Sequence, residues 1–150
     1  MNDVNKPDRI ERALAEGRVY ASRTEGVSMA PMLVEGRDTV IIKKPEFPLK
    51  KYDIPVYHRG DKYVMHRVVK VKKNGYIICG DNCITLERDI TDKDIVGVLA
   101  AFYHNGKYVE YGDREYVRYA KRAVRSYPLR LLKYFVAKGK GKLKRILKVK

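Results

Sequence analysis

Ser28 stands in Gly26-Val27-Ser28-Met29-Ala30-Pro31, between a residue that frees the backbone and one that stiffens it. A serine hydroxyl is a poor nucleophile at neutral pH. To attack a carbonyl it needs a base within hydrogen-bond reach and backbone N–H donors where the oxyanion forms. Gly26 permits positive φ or a close backbone approach, and Pro31 fixes the chain after the serine, so the segment suits the presentation of a hydroxyl and an amide in one geometry. Of the three histidines, His58 and His104 sit beside turn glycines, where solvation is expected, while His66 lies inside a strand-like stretch. Asp81 occupies Gly80-Asp81-Asn82, a turn in which an aspartate also bonds its own backbone. Cys79 and Cys83 flank that turn. With no second ligand pair at zinc spacing they read as one buried and one incidental cysteine, and no metal or other cofactor is expected.

These residues need a frame. Asp8 to Glu16 carries helix formers with Ile10, Ala13 and Leu14 on one side and Gly17 as a stop, a short helix too small for a helix-turn-helix domain. From Val19 onward the pattern changes to strands, expected at Thr39–Lys43, Ile54–Tyr57, Tyr63–Val71, Tyr76–Cys79, Ile95–Tyr103 and Lys107–Tyr111. Arg59-Gly60-Asp61, Lys73-Asn74-Gly75, Gly80-Asp81-Asn82 and His104-Asn105-Gly106 separate them with tight-turn chemistry. The expected fold class is therefore mainly β, a compact antiparallel body. After Asp113, a fitting N-cap, helical spacing returns with Tyr116, Val117, Ala120, Ala123 and Val124 on one face. Pro128 is expected to break or kink this helix. A second apolar stripe follows at Leu131, Leu132, Phe135 and Val136, then Gly139 and Gly141 interrupt, and Leu143, Ile146 and Leu147 suit a last turn or two. The division is 1–19, helix and lead-in; 20–112, β body; 113–150, basic helical tail.

The charge is uneven. From Arg114 to Lys150 there are fourteen Lys and Arg against one acid, Glu115, so this tail carries +13 of the chain's +15 and the body is near neutral. Leu, Tyr, Phe and Val on one face with Lys and Arg on the other fit a segment lying on anionic lipid, and the same charges attract nucleic acid. The apolar stripe favours lipid, or packing on the body, over phosphate alone. The longest apolar run, Ile95 to Tyr103, is roughly half of what spanning a bilayer requires. Two cysteines and no secretory leader pattern suit a reducing, cytoplasmic setting, with the tail as a peripheral contact to the inner face of the membrane.

The segment Thr24-Glu25-Gly26-Val27-Ser28-Met29-Ala30-Pro31-Met32-Leu33, followed by Glu35-Gly36-Arg37-Asp38-Thr39-Val40, resembles the nucleophile box of the signal peptidase I and LexA-like serine peptidases. Tyr52-Asp53-Ile54-Pro55-Val56-Tyr57, Met65-His66-Arg67-Val68-Val69 and Gly80-Asp81-Asn82 follow in the family's order, so the resemblance covers about Tyr20 to Phe102. It implies the signal peptidase/LexA-like β fold and a serine endopeptidase that processes a leader or precursor peptide after small residues. It further implies Ser28 as nucleophile, the residue before Arg67 as general base, backbone amides including that of Ser28 as oxyanion donors, and Gly26, Val27, Met29 and Pro31 as oxyanion or substrate-binding residues. Most bacterial relatives carry lysine as the base; here it is His66, the endoplasmic reticulum variant, with Lys70 or Lys62 as alternatives. Histidine, with an ordinary pKa of about 6.5, accepts a proton near neutrality more readily than lysine at about 10.4. Asp81 is the implied acid beside His66, with Asp89 and Asp92 as rivals. Gly26 replaces the serine that many signal peptidases carry there, and the family's amino-terminal membrane anchor is missing.

Two further readings compete. A LexA-like regulator that cleaves itself needs a DNA-binding domain and a cleavable linker upstream of Ser28, neither of which the first 27 residues suggest. A module that keeps the fold without catalysis would use the basic tail for membrane or nucleic acid.

Overall fold

The computed structural model of the chain describes residues 6–147, with side chains described over 9–140. A helix, α1 (Lys6–Ala15), precedes nine strands: β1 (Tyr20–Arg23), β2 (Thr39–Lys43), β3 (Pro55–Arg59), β4 (Lys62–Met65), β5 (Arg67–Lys72), β6 (Gly75–Cys79), β7 (Glu87–Ile90), β8 (Ile95–His104) and β9 (Lys107–Glu110). Two helices, α2 (Arg114–Arg125) and α3 (Tyr127–Leu147), close the order. Every strand pair is antiparallel, so the β-rich reading holds.

Two sheets form. The larger runs β1-β2-β8-β3-β4, with β9 also on β8, and the smaller runs β5-β6-β7. Ten-residue β8 is the spine of the larger sheet because both faces of its pleat are apolar, Leu99 and Phe102 entering one core and Val98 the other, and its two edges serve β2, β3 and β9. Each sheet has its own core. Ile10 and Leu14 of α1, Met29, Met32 and Leu33 of the serine loop, Val40, Ile42, Leu99 and Phe102 of the large sheet, and Tyr116 and Ala120 of α2 form one. Leu49, Tyr57, Val68, Tyr76, Ile78, Ile95 and Val98 form the other.

Several expectations change at this scale. Tyr63–Val71 is not one strand: the chain leaves the large sheet after Met65, which pairs with Val56, and enters the small one at Arg67, which pairs with Cys79. His66 is the hinge residue between the sheets. β1 and β7 had no separate signal, being four residues each and largely polar. Of the two outcomes expected at Pro128, the break is the one found: α2 ends at Arg125 and Pro128 falls in the first turn of α3, where a missing N–H costs nothing. Gly139 and Gly141 do not interrupt α3, whose backbone continues to Leu147; the side chains of Leu143, Ile146 and Leu147 lie outside the described residues. Asp113 precedes α2 as expected, but its carboxylate accepts from the Glu110 amide at 2.9 Å and so closes the turn after β9 instead of capping the helix.

Candidate active site

Three connections converge where the sheets meet: the β1–β2 loop with Ser28, the β4–β5 junction with His66, and the turn after β6 with Gly80, Asp81 and Asn82. The serine loop is built from its own hydrogen bonds. Buried Asp38 accepts from the Val34 amide at 2.8 Å and from Arg37, and Thr24 Oγ1 donates to the Val34 carbonyl at 2.7 Å. Met29, Met32 and Leu33 anchor the loop in the core, and Gly26 takes φ +75°, the left-handed conformation that a side chain disfavours. This leaves Val27 64% exposed and Ser28 half-buried at the rim.

The Gly80 turn is fastened to this loop. The Asn82 amide donates to the Ser28 carbonyl at 2.8 Å, and the Asn82 side-chain amide donates to the Val27 carbonyl at 3.2 Å. A Cβ on Gly80 would lie 2.7 Å from the Ser28 carbonyl oxygen and 3.0 Å from Cδ2 of His66. The backbone of the serine and the Nε2-bearing edge of the imidazole therefore press on the same point, with only a glycine between them. Among the described residues, the hydrogen bonds to His66 run through the other nitrogen, Nδ1, and Ser28 Oγ makes none. A hydrogen bond between Ser28 and His66 is thus not formed; hydrogen bonds between reacting groups are often long until the reaction complex assembles.

Nδ1 faces a carboxylate, and it is not that of Asp81. His66 Nδ1 lies 2.7 Å from Oε1 of Glu87 in β7. Tyr57 donates its hydroxyl to the same oxygen at 2.6 Å, and Arg59 Nε donates to Oε2 at 3.1 Å. Asp81 is instead consumed by Arg67: Nε and Nη2 of this fully buried guanidinium donate to its two oxygens at 2.8 and 2.7 Å. Arg67 also bonds the Tyr52 carbonyl and the Tyr116 hydroxyl and lies over the rings of Tyr116 and Tyr119, tying α2 to the site's floor. The expected Asp81–His66 contact is therefore replaced by Glu87–His66, and Asp81 holds Arg67, the residue next to His66. Asp89 is exposed and Asp92 accepts from Tyr76, so neither rival reaches His66. The signal for Glu87 was weak, since it required recognising a four-residue polar strand as the third member of a sheet.

Burial is the main influence on His66 and, although Glu87 opposes it, holds the imidazole below its ordinary 6.5. Burial also pushes Glu87 up, but the bonds from Arg59, Tyr57 and His66 outweigh it and keep the carboxyl below its ordinary 4.5. The pair near neutrality is thus an ionised Glu87 and a neutral His66. A proton on Nδ1 aimed at that carboxylate leaves the lone pair on Nε2, at the ring edge that faces Gly80.

The other residues singled out from sequence divide. Gly26, Val27 and Pro31 lie exposed on the loop around Ser28, whereas the Met29 side chain is buried in the core. Lys62 and Lys70 are both exposed, without the burial that a lysine base requires. His58 pairs with Glu11 of α1, and His104 bonds Arg37 and Asp38, so both brace the fold. Cys79 and Cys83 are free thiols. Among the described residues no cluster of His, Cys, Asp and Glu suits a metal ion, and no helix is long and apolar enough to cross a membrane.

A groove of about 550 Å³ is lined by chain neighbours of Ser28 and His66, though by neither residue itself. Its sides are β1 with Thr24 and Glu25, three residues before Ser28, and β4 with Met65, immediately before His66; Val40, Ile42 and Val56 form an apolar floor. β1 and β4 are the two ends of the large sheet's strand order, so both line the groove with edge backbone. Comparison with protein-family models, curated proteins and solved structures found no match to this chain.

Proposed function

We propose that this chain is a serine endopeptidase in which Ser28 is the nucleophile, His66 the general base and Glu87 the acid that orients it. The observation that carries the reading is the imidazole of His66, held through Nδ1 by an ionised carboxylate at 2.7 Å and turned by its opposite edge toward the Ser28 loop. As Ser28 Oγ attacks a peptide carbonyl, Nε2 takes its proton, and Glu87 stabilises the imidazolium. Nε2 then returns the proton to the leaving amine, and water resolves the acyl-enzyme by the same route. Backbone amides at Ser28 and its neighbours supply the oxyanion donors.

The groove supports a peptide substrate in particular. An extended chain between two free strand edges gains main-chain hydrogen bonds on either side while an apolar floor receives alternate side chains. The resemblance of the four sequence segments to signal peptidase and LexA-like enzymes adds a preference for small residues before the scissile bond and a leader or precursor peptide as substrate. The test is digestion of a diverse peptide library, with cleavage sites read by mass spectrometry, for the wild type, Ser28→Ala and His66→Ala. Cleavage clustered after small residues and lost in both variants is expected. Unchanged cleavage by either correctly folded variant refutes the assignment.

A further inference from the structure

The basic tail is not one surface. Tyr116, Ala120 and Ala123 bury the apolar face of α2 against the body, so its contribution is already spent. α3 differs. Near its start the Tyr127 hydroxyl donates to the Ile84 carbonyl at 2.7 Å and Arg130 donates to the Cys83 carbonyl at 3.2 Å, which roots the helix on the turn beside Ser28. On the opposite side, Leu129, Leu132, Phe135 and Val136 are 53, 59, 59 and 48% exposed. Spaced i, i+3, i+6 and i+7, they form one apolar stripe directed away from the body. Lys133 and Lys140 flank it at helical spacing, and residues 114–140 hold nine Lys and Arg against one acid, Glu115, which is bonded to Lys107.

We propose that this outward face of α3 docks on an anionic lipid bilayer, the four apolar side chains entering the interface and the flanking lysines meeting lipid phosphates. Charge decides the occupant. A second copy of this chain brings another +15 and is repelled, and a nucleic acid offers phosphate but nothing to receive four neighbouring apolar side chains. An anionic bilayer satisfies both halves of the face. Because α3 is rooted on the 83–84 turn, docking tethers the β body to the membrane through that turn.

The chain contains no tryptophan, so Phe135→Trp gives a reporter without background. The full chain is titrated with phosphatidylcholine vesicles, with and without phosphatidylglycerol, at about 50 and about 300 mM KCl, across which screening tightens. Expected are a blue shift and co-sedimentation with the anionic vesicles, weakened at high salt, and partitioning to neutral vesicles lower by at least about tenfold. Leu132→Asp with Phe135→Asp should lower anionic partitioning by roughly a hundredfold, and Lys133→Glu with Lys140→Glu by about tenfold or more. Val19→Asp, at an exposed apolar position outside α3, and Ser28→Ala should bind as the wild type does, so this result stands apart from the peptidase assignment. Equal partitioning to neutral and anionic vesicles, unchanged binding by the α3 variants, or a wild-type dimer that Leu132→Asp with Phe135→Asp dissolves would overturn the proposal.

Discussion

Glu87→Gln and Asp81→Asn separate two carboxylates that sequence alone would exchange. Glutamine at position 87 is isosteric, but its NH2 can donate to Nδ1 of His66, which moves the imidazole proton to Nε2 and removes the base from the Ser28 side. In a serine triad the equivalent tautomer error costs on the order of 10⁴ in rate, about 5 kcal/mol of barrier. Stability should suffer little, because the Arg59 side chain is 52% exposed and regains water; about 1 kcal/mol is the scale. Asp81→Asn reverses the pattern. It leaves the fully buried Arg67 guanidinium without its counter-ion, a loss of about 3–5 kcal/mol, which lowers Tm by roughly 10 °C in a chain of this size. Labelling of Ser28 by a fluorophosphonate, followed by intact mass, reads nucleophile activation without a known substrate. Nitrogen NMR of His66 reads the tautomer, and thermal denaturation reads the fold. Glu87→Gln labelling within about tenfold of wild type, or Asp81→Asn retaining the wild-type Tm while losing labelling as completely, would refute the assignment of roles.

Acid should destabilise the fold in two steps. The folded pKa of His66 lies below its unfolded 6.5 and that of Glu87 below its unfolded 4.5, so in each window the unfolded chain binds more protons and stability falls as pH falls. Tm measured from about pH 8 to about pH 4 should decline first below 6.5; a rise on acidification there contradicts a neutral buried imidazole. Ser28 labelling should persist below pH 6.5 for the same reason, and a profile centred above that value counts against His66 as the base. Gly80→Ala puts a methyl group 2.7 Å from the Ser28 carbonyl and from Cys83 Sγ, an overpacking that costs about 1–3 kcal/mol. Both Tm and labelling should fall, and an unperturbed Gly80→Ala protein denies the close approach of the two loops. Burial pushes the Cys79 thiol up to about 11 and Cys83 upward as well. Iodoacetamide should therefore alkylate both slowly at neutral pH, and rapid modification of Cys79 in the folded chain would contradict its environment.

How much of this was legible depended on whether the signal was local. β2 at Thr39–Lys43 and the turn at Lys73-Asn74-Gly75 follow from β-branched runs and turn chemistry within a few residues. The break at His66 does not, because Tyr63 to Val71 is one uninterrupted strand-forming stretch, and only the pairing of Met65 with Val56 and Arg67 with Cys79 divides it. The same limit explains the acid. Asp81 stands in a conspicuous turn and lies close to His66, but the bidentate guanidinium of Arg67 claims both its oxygens, a competition between neighbouring side chains that spacing does not encode. Glu87 reaches His66 because β7 pairs with β6, opposite Ile78. Helices lie where helical spacing returns after Asp113, but which of them packs on the body depends on Tyr116 and Tyr119 meeting Arg67, a contact that spacing does not encode.

The packing of α1 bears on whether a peptide enters the groove from this chain or from another. Self-cleavage requires a segment near Ser28 to lie extended between β1 and β4. Residues 6–15 are helical, and Ile10, Ala13 and Leu14 are buried, with Leu14 packed where Gly97 opens the sheet. Glu11 accepts from Tyr63 of β4 at 2.7 Å, so α1 is also bonded to the groove's own wall. Drawing this segment into the groove would expose three core side chains, two of them large, each of which costs about 1.5–3 kcal/mol, before any strand pairing is gained. Ile10 already contributes to the groove lining as a fixed helical residue. For the described residues, the packing of α1 fits a fixed part of the fold and, under the proposed peptidase reading, a separate polypeptide as the substrate.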